Sequence, residues 1–470
     1  MPASTRPRTS RTRLRIALAA LATLASAGLT TSPAPAAQAD TPATGHLTGT
    51  LSDDATWVAD VPAHWNGTLL LFSHGFGPTV AKDAPSDAVR TALLAEGYAM
   101  AGSSYDPHGS MWALDSAERD QFATLDAITA KIGAPRRTLA VGQSMGGLVN
   151  AQIARDGAGR VDGALGLCGL VAGGTDLDNY QLDAEYALAR LLLPGQDVGL
   201  VRFGSADAAA ATAKRLTDAV TAAQTTPQGR ARIALAAAFL NLPAWAPGQG
   251  RPAPADWAGQ EEQQYAWFAQ GILSFVEGGR YAVEQSAGGN NSWNAGVDYA
   301  RLLAGSVHAP QVRALYRAAG LDLRADLTSL TRGAAITADP AAVRAAQRTS
   351  SAGQGLGVPL LDVHTIADNL VPVEQERRFG DRVRAAGDGA LLRQAYVERQ
   401  GHCTFTTAET VAALRALEHR VTTGHWDDAA TPAALQRTAT ALGPDGAAYI
   451  PYRPAHLTVG RDRPAHPTHH

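Results

Sequence analysis

Thr138-Leu139-Ala140-Val141-Gly142-Gln143-Ser144-Met145-Gly146-Gly147 decides how this chain is read. An apolar strand, 138–141, runs into G-x-S-x-G; a third glycine follows, and Leu148 to Arg155 reads as a helix. Strand, sharp turn and helix around such a serine hold it in a strained backbone conformation, with its hydroxyl exposed above the end of a sheet. The flanking glycines fit this picture, because neighbouring segments come too close there for a Cβ. A serine presented in this way is a candidate nucleophile, and such a nucleophile needs a base.

Working outward, apolar strands alternate with amphipathic helices. His46 to Asp60 reads as one or two opening strands, and Gly67 to Ser73 is apolar enough for the middle of a parallel sheet, ending in His74-Gly75-Phe76-Gly77. A helix is predicted over Ser86 to Glu96, a strand over Tyr98 to Ser103 and a helix over Leu114 to Ile132. Another strand covers Gly163 to Cys168. The alternation predicts an α/β class chain with a doubly wound, mostly parallel sheet. It breaks at Gly169, and from there to Gly357 the chain is alanine-rich and helical by pattern, without a convincing strand. Sheet logic returns with a strand at Val358 to Val363, a helix at Val373 to Ala386, a strand at Leu391 to Val397 and a helix at Thr407 to Thr423. The expected organisation is therefore a leader (1–39), a first core part (40–168), a helical cap inserted between two late core strands (169–357), a second core part (358–424) and a Pro-rich tail (425–470) packed over the surface or partly disordered.

The leader has the marks of a secretory signal. Arg6, Arg8, Arg11, Arg13 and Arg15 precede an apolar stretch from Ile16 to Leu29, and Ala37-Gln38-Ala39 is an A-x-A cleavage site. The mature chain is expected to start at Asp40, outside the cell and without a membrane anchor. A net charge of −3 argues against a nucleic-acid-binding surface. Cys168 and Cys403 are the two cysteines; in an exported protein they read as one disulfide, the alternative being two buried thiols. No metal-ligand cluster, phosphate loop or nucleotide fingerprint appears, so no cofactor and no metal are expected.

A serine nucleophile works with a histidine base and a carboxylate that fixes the histidine's tautomer, here in the chain order Ser, Asp or Glu, His. Asp368, in the loop after the Val358 strand, fits the acid; Asp362 within the strand and Glu374 at the next helix are its rivals. His402 follows the Leu391 strand and fits the base. The backbone N–H of Met145, and that of Phe76 in the His74–Gly77 loop, are the expected donors to an oxyanion. His108, Tyr105 and Trp112 follow a core strand and are possible cleft residues. Glu261-Glu262 reads as a solvated helix start.

Strand-HGFG, GQSMGG, the Asp368-Asn369-Leu370-Val371-Pro372 loop and Gly401-His402 together resemble the α/β-hydrolase esterase and lipase superfamily, over residues 60–168 and 358–424. The resemblance implies a secreted serine hydrolase cleaving carboxylic esters, small or polymeric, through an acyl-enzyme. Cys403 directly after His402 resembles half of the tannase and feruloyl esterase pattern, in which a second cysteine precedes the catalytic serine; here Gln143 stands in that place. Cys168 ends the strand beside the nucleophile strand, and a Cys168–Cys403 bond would pin the His402 loop to the start of the insertion. A prolyl or tripeptidyl aminopeptidase with the same triad is the alternative, and a non-catalytic binding protein on the same scaffold a second one. Ten of the chain's 28 aromatic residues lie between Phe239 and Tyr299. Most of them are expected to form the insertion's own core, and a few to line a pocket above Ser144.

Overall fold

The computed structural model describes residues 43–443 and 446–460, and the predicted leader lies outside the described residues. The strands are β1 (Gly45–Thr50), β2 (Thr56–Val61), β3 (Thr68–Ser73), β4 (Ala99–Ser103), β5 (Arg137–Gln143), β6 (Gly163–Leu167), β7 (Leu360–Ala367), β8 (Leu392–Gln400) and β9 (Tyr449–Ile450). The helices up to the end of the insertion are α1 (Asp87–Ala95), α2 (Ala117–Ile132), α3 (Met145–Asp156), α4 (Gly174–Leu192), α5 (Ala206–Ala223), α6 (Pro227–Leu240), α7 (Trp257–Ala269), α8 (Ile272–Ala287), α9 (Tyr299–Ala304), α10 (Ala309–Ala318), α11 (Leu323–Gly333) and α12 (Pro340–Thr349). After it come α13 (Glu374–Ala385), α14 (Thr407–Thr423) and α15 (Pro432–Leu442).

The nine strands among the described residues form one sheet in the order β1-β2-β4-β3-β5-β6-β7-β8-β9. Pairing is parallel from β4 through β8, and antiparallel at both edges, where β1 and β2 lie on one side and β9 on the other. β3 has no polar face, since every residue from Thr68 to Ser73 is buried. Leu70 and Phe72 pack with Val89 of α1 and Leu414 of α14 on one side, while Leu69 and Leu71 pack with Leu125 and Ile128 of α2 on the other. Helices on both faces are what let a parallel sheet read as unbroken apolar runs.

β6 and β7 are direct neighbours, with Ala164 opposite Leu360, yet α4 to α12 intervene in the chain. These helices bury Phe239, Phe268 and Tyr299 fully, in a core that is continuous with Leu148 and Val149 of α3 on the sheet and is not separate from it. The tail holds more regular structure than its sequence pattern conveys. α15 buries Leu435 and Ala439 against the α14 side of the sheet, and β9 pairs with β8. Residues 457–459 run back to the insertion, where Thr458 N donates to Asn241 Oδ1 at 2.7 Å. β7 extends to Ala367, past the predicted Val363, so Asp368 follows it without a spacer.

Candidate active site

Ser144 stands between the end of β5 and the start of α3 with φ 61° and ψ −123°, a conformation that L-residues rarely adopt. The glycines around it have no room for a side chain. A Cβ on Gly146 would fall 1.9 Å from the Ser73 carbonyl oxygen, and one on Gly142 would fall 2.0 Å from that of Gly146. Close packing of β3 and α3 against the turn therefore holds the strained serine in place.

His402 lies in the loop after β8, and its Nε2 accepts from Ser144 Oγ at 2.8 Å. Its Nδ1 donates to Asp368 Oδ2 at 2.7 Å. The other carboxylate oxygen of Asp368 accepts from the Leu370 and Val371 N–H groups, each at 2.9 Å. Asp368 is fully buried, and burial alone would raise its pKa. The charge field of His402 and the hydrogen bonds from His364 and His402 outweigh that, and hold the carboxyl well below the usual carboxylate range. Asp362 is buried within β7, and Glu374 begins α13; neither bonds His402.

This is the α/β-hydrolase fold. In it the strained serine follows the central strand β5, and the acid and histidine loops follow β7 and β8. His364, on β7, lies behind Asp368 with its Nε2 3.5 Å from Oδ2. Its Nδ1 faces Glu376 Oε1 at 3.0 Å, and its Nε2 faces the Val371 carbonyl at 2.8 Å. Both partners are acceptors, so only the doubly protonated ring satisfies both. Burial pulls the His364 pKa down, but hydrogen bonds to Asp368 and Glu376 push it up to about 10. Glu376, which carries no mark in the sequence pattern, reaches His364 from the next helix.

The loop carrying Phe76 crosses directly against the serine, and a Cβ on Gly75 would lie 3.1 Å from Ser144 Cβ. His74 stacks on Tyr105 with ring centroids 4.1 Å apart, and the Tyr105 hydroxyl donates to the His74 carbonyl at 3.0 Å. Tyr105 thus supports the loop from beneath and does not line the cleft. Met145 is the first residue of α3, where N–H groups have no carbonyl one turn back. Cys168 and Cys403 form a disulfide with Cα atoms 5.4 Å apart, and Cys403 Sγ lies 3.3 Å from His402 Nε2.

A narrow cleft lies over Ser144 and His402. Phe76, Trp112, Leu177, Phe275 and Val276 are among its apolar walls. Asp178 and Gln181 of α4 are its polar residues besides the serine and histidine. Asp178 is fully buried, and burial raises its pKa to about 6 against the pull of Arg280. Besides Tyr105, two expectations fail here. His108 is exposed and pairs with Asp54 at 3.1 Å. Glu261 is not solvated: it is buried in an ion pair with Arg230 at 2.8 Å.

No protein-family model matches the chain. An o-phthalyl amidase of Xanthobacter agilis is 29% identical over 408 residues, 80% of this chain and 87% of that protein. Among solved structures, the chain is similar to an esterase from Aspergillus oryzae, with 14% identity, a TM-score of 0.39, and 81% of this chain and 79% of that one covered. It is also similar to feruloyl esterase B from the same organism, with 12% identity, a TM-score of 0.38 and coverage of 81% and 80%. The relative is named an amidase and the two structures are named esterases. Among the described residues no helix is long and apolar enough to cross a membrane.

Proposed function

We propose that this protein is an exported serine hydrolase that cleaves carboxylic esters of small acids through an acyl-enzyme. The observation that carries the reading is the unbroken line Ser144 Oγ, His402, Asp368, with separations of 2.8 and 2.7 Å, built on a strained serine. Ser144 attacks the ester carbonyl while His402 Nε2 takes its proton, and Asp368 orients the ring and stabilises its charged form. The N–H groups of Met145 and Phe76 receive the oxyanion. Protonated His402 then delivers its proton to the leaving alcohol. Water, deprotonated by His402, hydrolyses the acyl-enzyme. No step calls on a cofactor. The insertion over the site acts as a cap that selects the substrate. Export is supported by the A-x-A leader and by the Cys168–Cys403 disulfide.

A second reading is amide cleavage, favoured by the relative that is named an o-phthalyl amidase. The same triad serves it, with an amine in place of the alcohol. Paired p-nitrophenyl esters and p-nitroanilides of the same acids separate the two. Ester turnover that falls by about 10⁴–10⁶-fold in Ser144→Ala supports the first reading. A p-nitroanilide turned over faster than its ester moves the assignment to the second, and ester turnover that survives Ser144→Ala removes both.

A further inference from the structure

α8 carries two successive glycines, Gly278 and Gly279, in its interior. Glycine weakens a helix interior through its backbone entropy, so its presence there asks for a reason. Crowding is not that reason, since a Cβ built on either residue meets no atom within 4 Å. The two positions differ in what they face. Gly279 lines the cleft above Ser144 with Val276 and Val283 of the same helix face, and Gly278 does not. Directly across from α8, Phe76 meets Phe275 edge-on at 5.6 Å and Trp112 at 6.4 Å. The space left by Gly279 is therefore walled mainly by aromatic and branched apolar side chains, with Asp178 and Gln181 of α4 also in the lining, and opens on the serine.

We propose that Gly279 sets the width of the acyl pocket, and that the pocket takes an apolar, ring-sized acyl group attached to the scissile carbonyl. A methyl at this position projects into the pocket, and a branched side chain fills the place of the ring. A pocket with this lining favours aryl or short branched acids, while small acyl groups such as acetyl react without using it. The proposal rests on Ser144 being the nucleophile.

The test uses two reagents that modify a reactive serine whether its natural substrate is an ester, an amide or a peptide. In both, Ser144 Oγ displaces fluoride from sulfur and His402 takes the proton. Phenylmethanesulfonyl fluoride places a ring on the acyl side, and methanesulfonyl fluoride does not. Second-order labelling rates of Ser144 are measured by intact and peptide mass spectrometry for the wild type, Gly279→Ala, Gly279→Val and Gly278→Ala. In Gly279→Val the ring reagent slows by about tenfold or more while the methyl reagent stays within about threefold. Gly279→Ala shows a smaller loss in the same direction and a higher melting temperature, since alanine is the better helix former. Gly278→Ala gains the same thermal stability with an unchanged ratio of the two rates. A ratio that does not move in either Gly279 variant overturns the proposal, as does an equal shift in Gly278→Ala. If neither reagent labels Ser144 in the wild type, the nucleophile reading itself fails, a result distinct from an unchanged ratio.

Discussion

At the end of β7 the buried charges meet partners; between α4 and α8 the acids outnumber their cation. In the first region the His364 ring lies between Glu376 and Asp368, and Asp368 accepts from His402 and two backbone N–H groups. In the second, Arg280 is buried with Glu185 at 2.6 Å and Glu277 at 3.7 Å, and Asp178 lies beside it. Among the described residues, no carboxylate oxygen of Glu277 or Asp178 accepts a hydrogen bond from Arg280. Both regions border the same cleft, yet burial acts differently in each. Where donors converge, the carboxyl of Asp368 stays ionised despite burial. Where they do not, burial pushes Glu277 and Asp178 toward the neutral acid. A buried carboxylate that must stay charged to do its work needs preorganised donors, and Arg280 donates to the carboxylate of Glu185 but not to that of Glu277 or Asp178.

Removing Arg280 from the second region has the largest expected effect. Arg280→Met strands Glu185 without its partner and costs about 3–5 kcal/mol in urea unfolding at neutral pH. Replacing Glu185 as well, with Leu, restores most of that loss, because an apolar pair of similar volume needs no desolvated charge. A single-variant cost under about 1 kcal/mol would mean that Arg280 and Glu185 contribute no more than an exposed pair.

The first region is tested through pH. The folded pKa of His364 is raised from 6.5 to about 10, so the folded state keeps a proton that the unfolded state releases. Its contribution to stability is full below pH 6.5 and is lost as pH rises toward 10, with a slope approaching about 1.4 kcal/mol per pH unit for one proton. Urea midpoints measured from pH 6 to 10 are expected to fall more steeply for the wild type than for His364→Gln. Equal slopes would show that the ring is not held as the imidazolium.

How much of this was legible beforehand divides along the same line. The elbow at Ser144, the Asp368 loop and the His402 loop each announce themselves locally, because a strand followed by a tight turn leaves a readable mark in glycines and apolar runs. The rest depends on what meets across the fold. Glu376 reads as an ordinary first-turn acid of α13 until β7 places His364 against it. Glu185 and Arg280 lie 95 residues apart on helices whose charges look like solvated faces, and only the packing of α4 with α8 buries them. Glu261 was misread for the same reason, its partner Arg230 coming from α6. The tail's weak pattern concealed β9 because a two-residue edge strand is too short for periodicity to register.

The smallest expected effect sharpens the comparison most, because it asks whether Glu277 is neutral. Its carboxyl is raised well above 4.5, first by burial and then by the charge of Glu185. A carboxyl raised in the folded state contributes stability below its unfolded pKa, and that contribution is lost as pH rises through the folded value. Glu277→Gln replaces a protonated acid by an amide of the same shape that never ionises. Its stability at pH 4 is expected to lie within about 1 kcal/mol of the wild type, with the difference moving in the variant's favour by pH 7. Urea unfolding at the two pH values reads this directly. A loss of more than about 2 kcal/mol at pH 7 would make Glu277 an ionised partner of Arg280, and the two regions would then be alike.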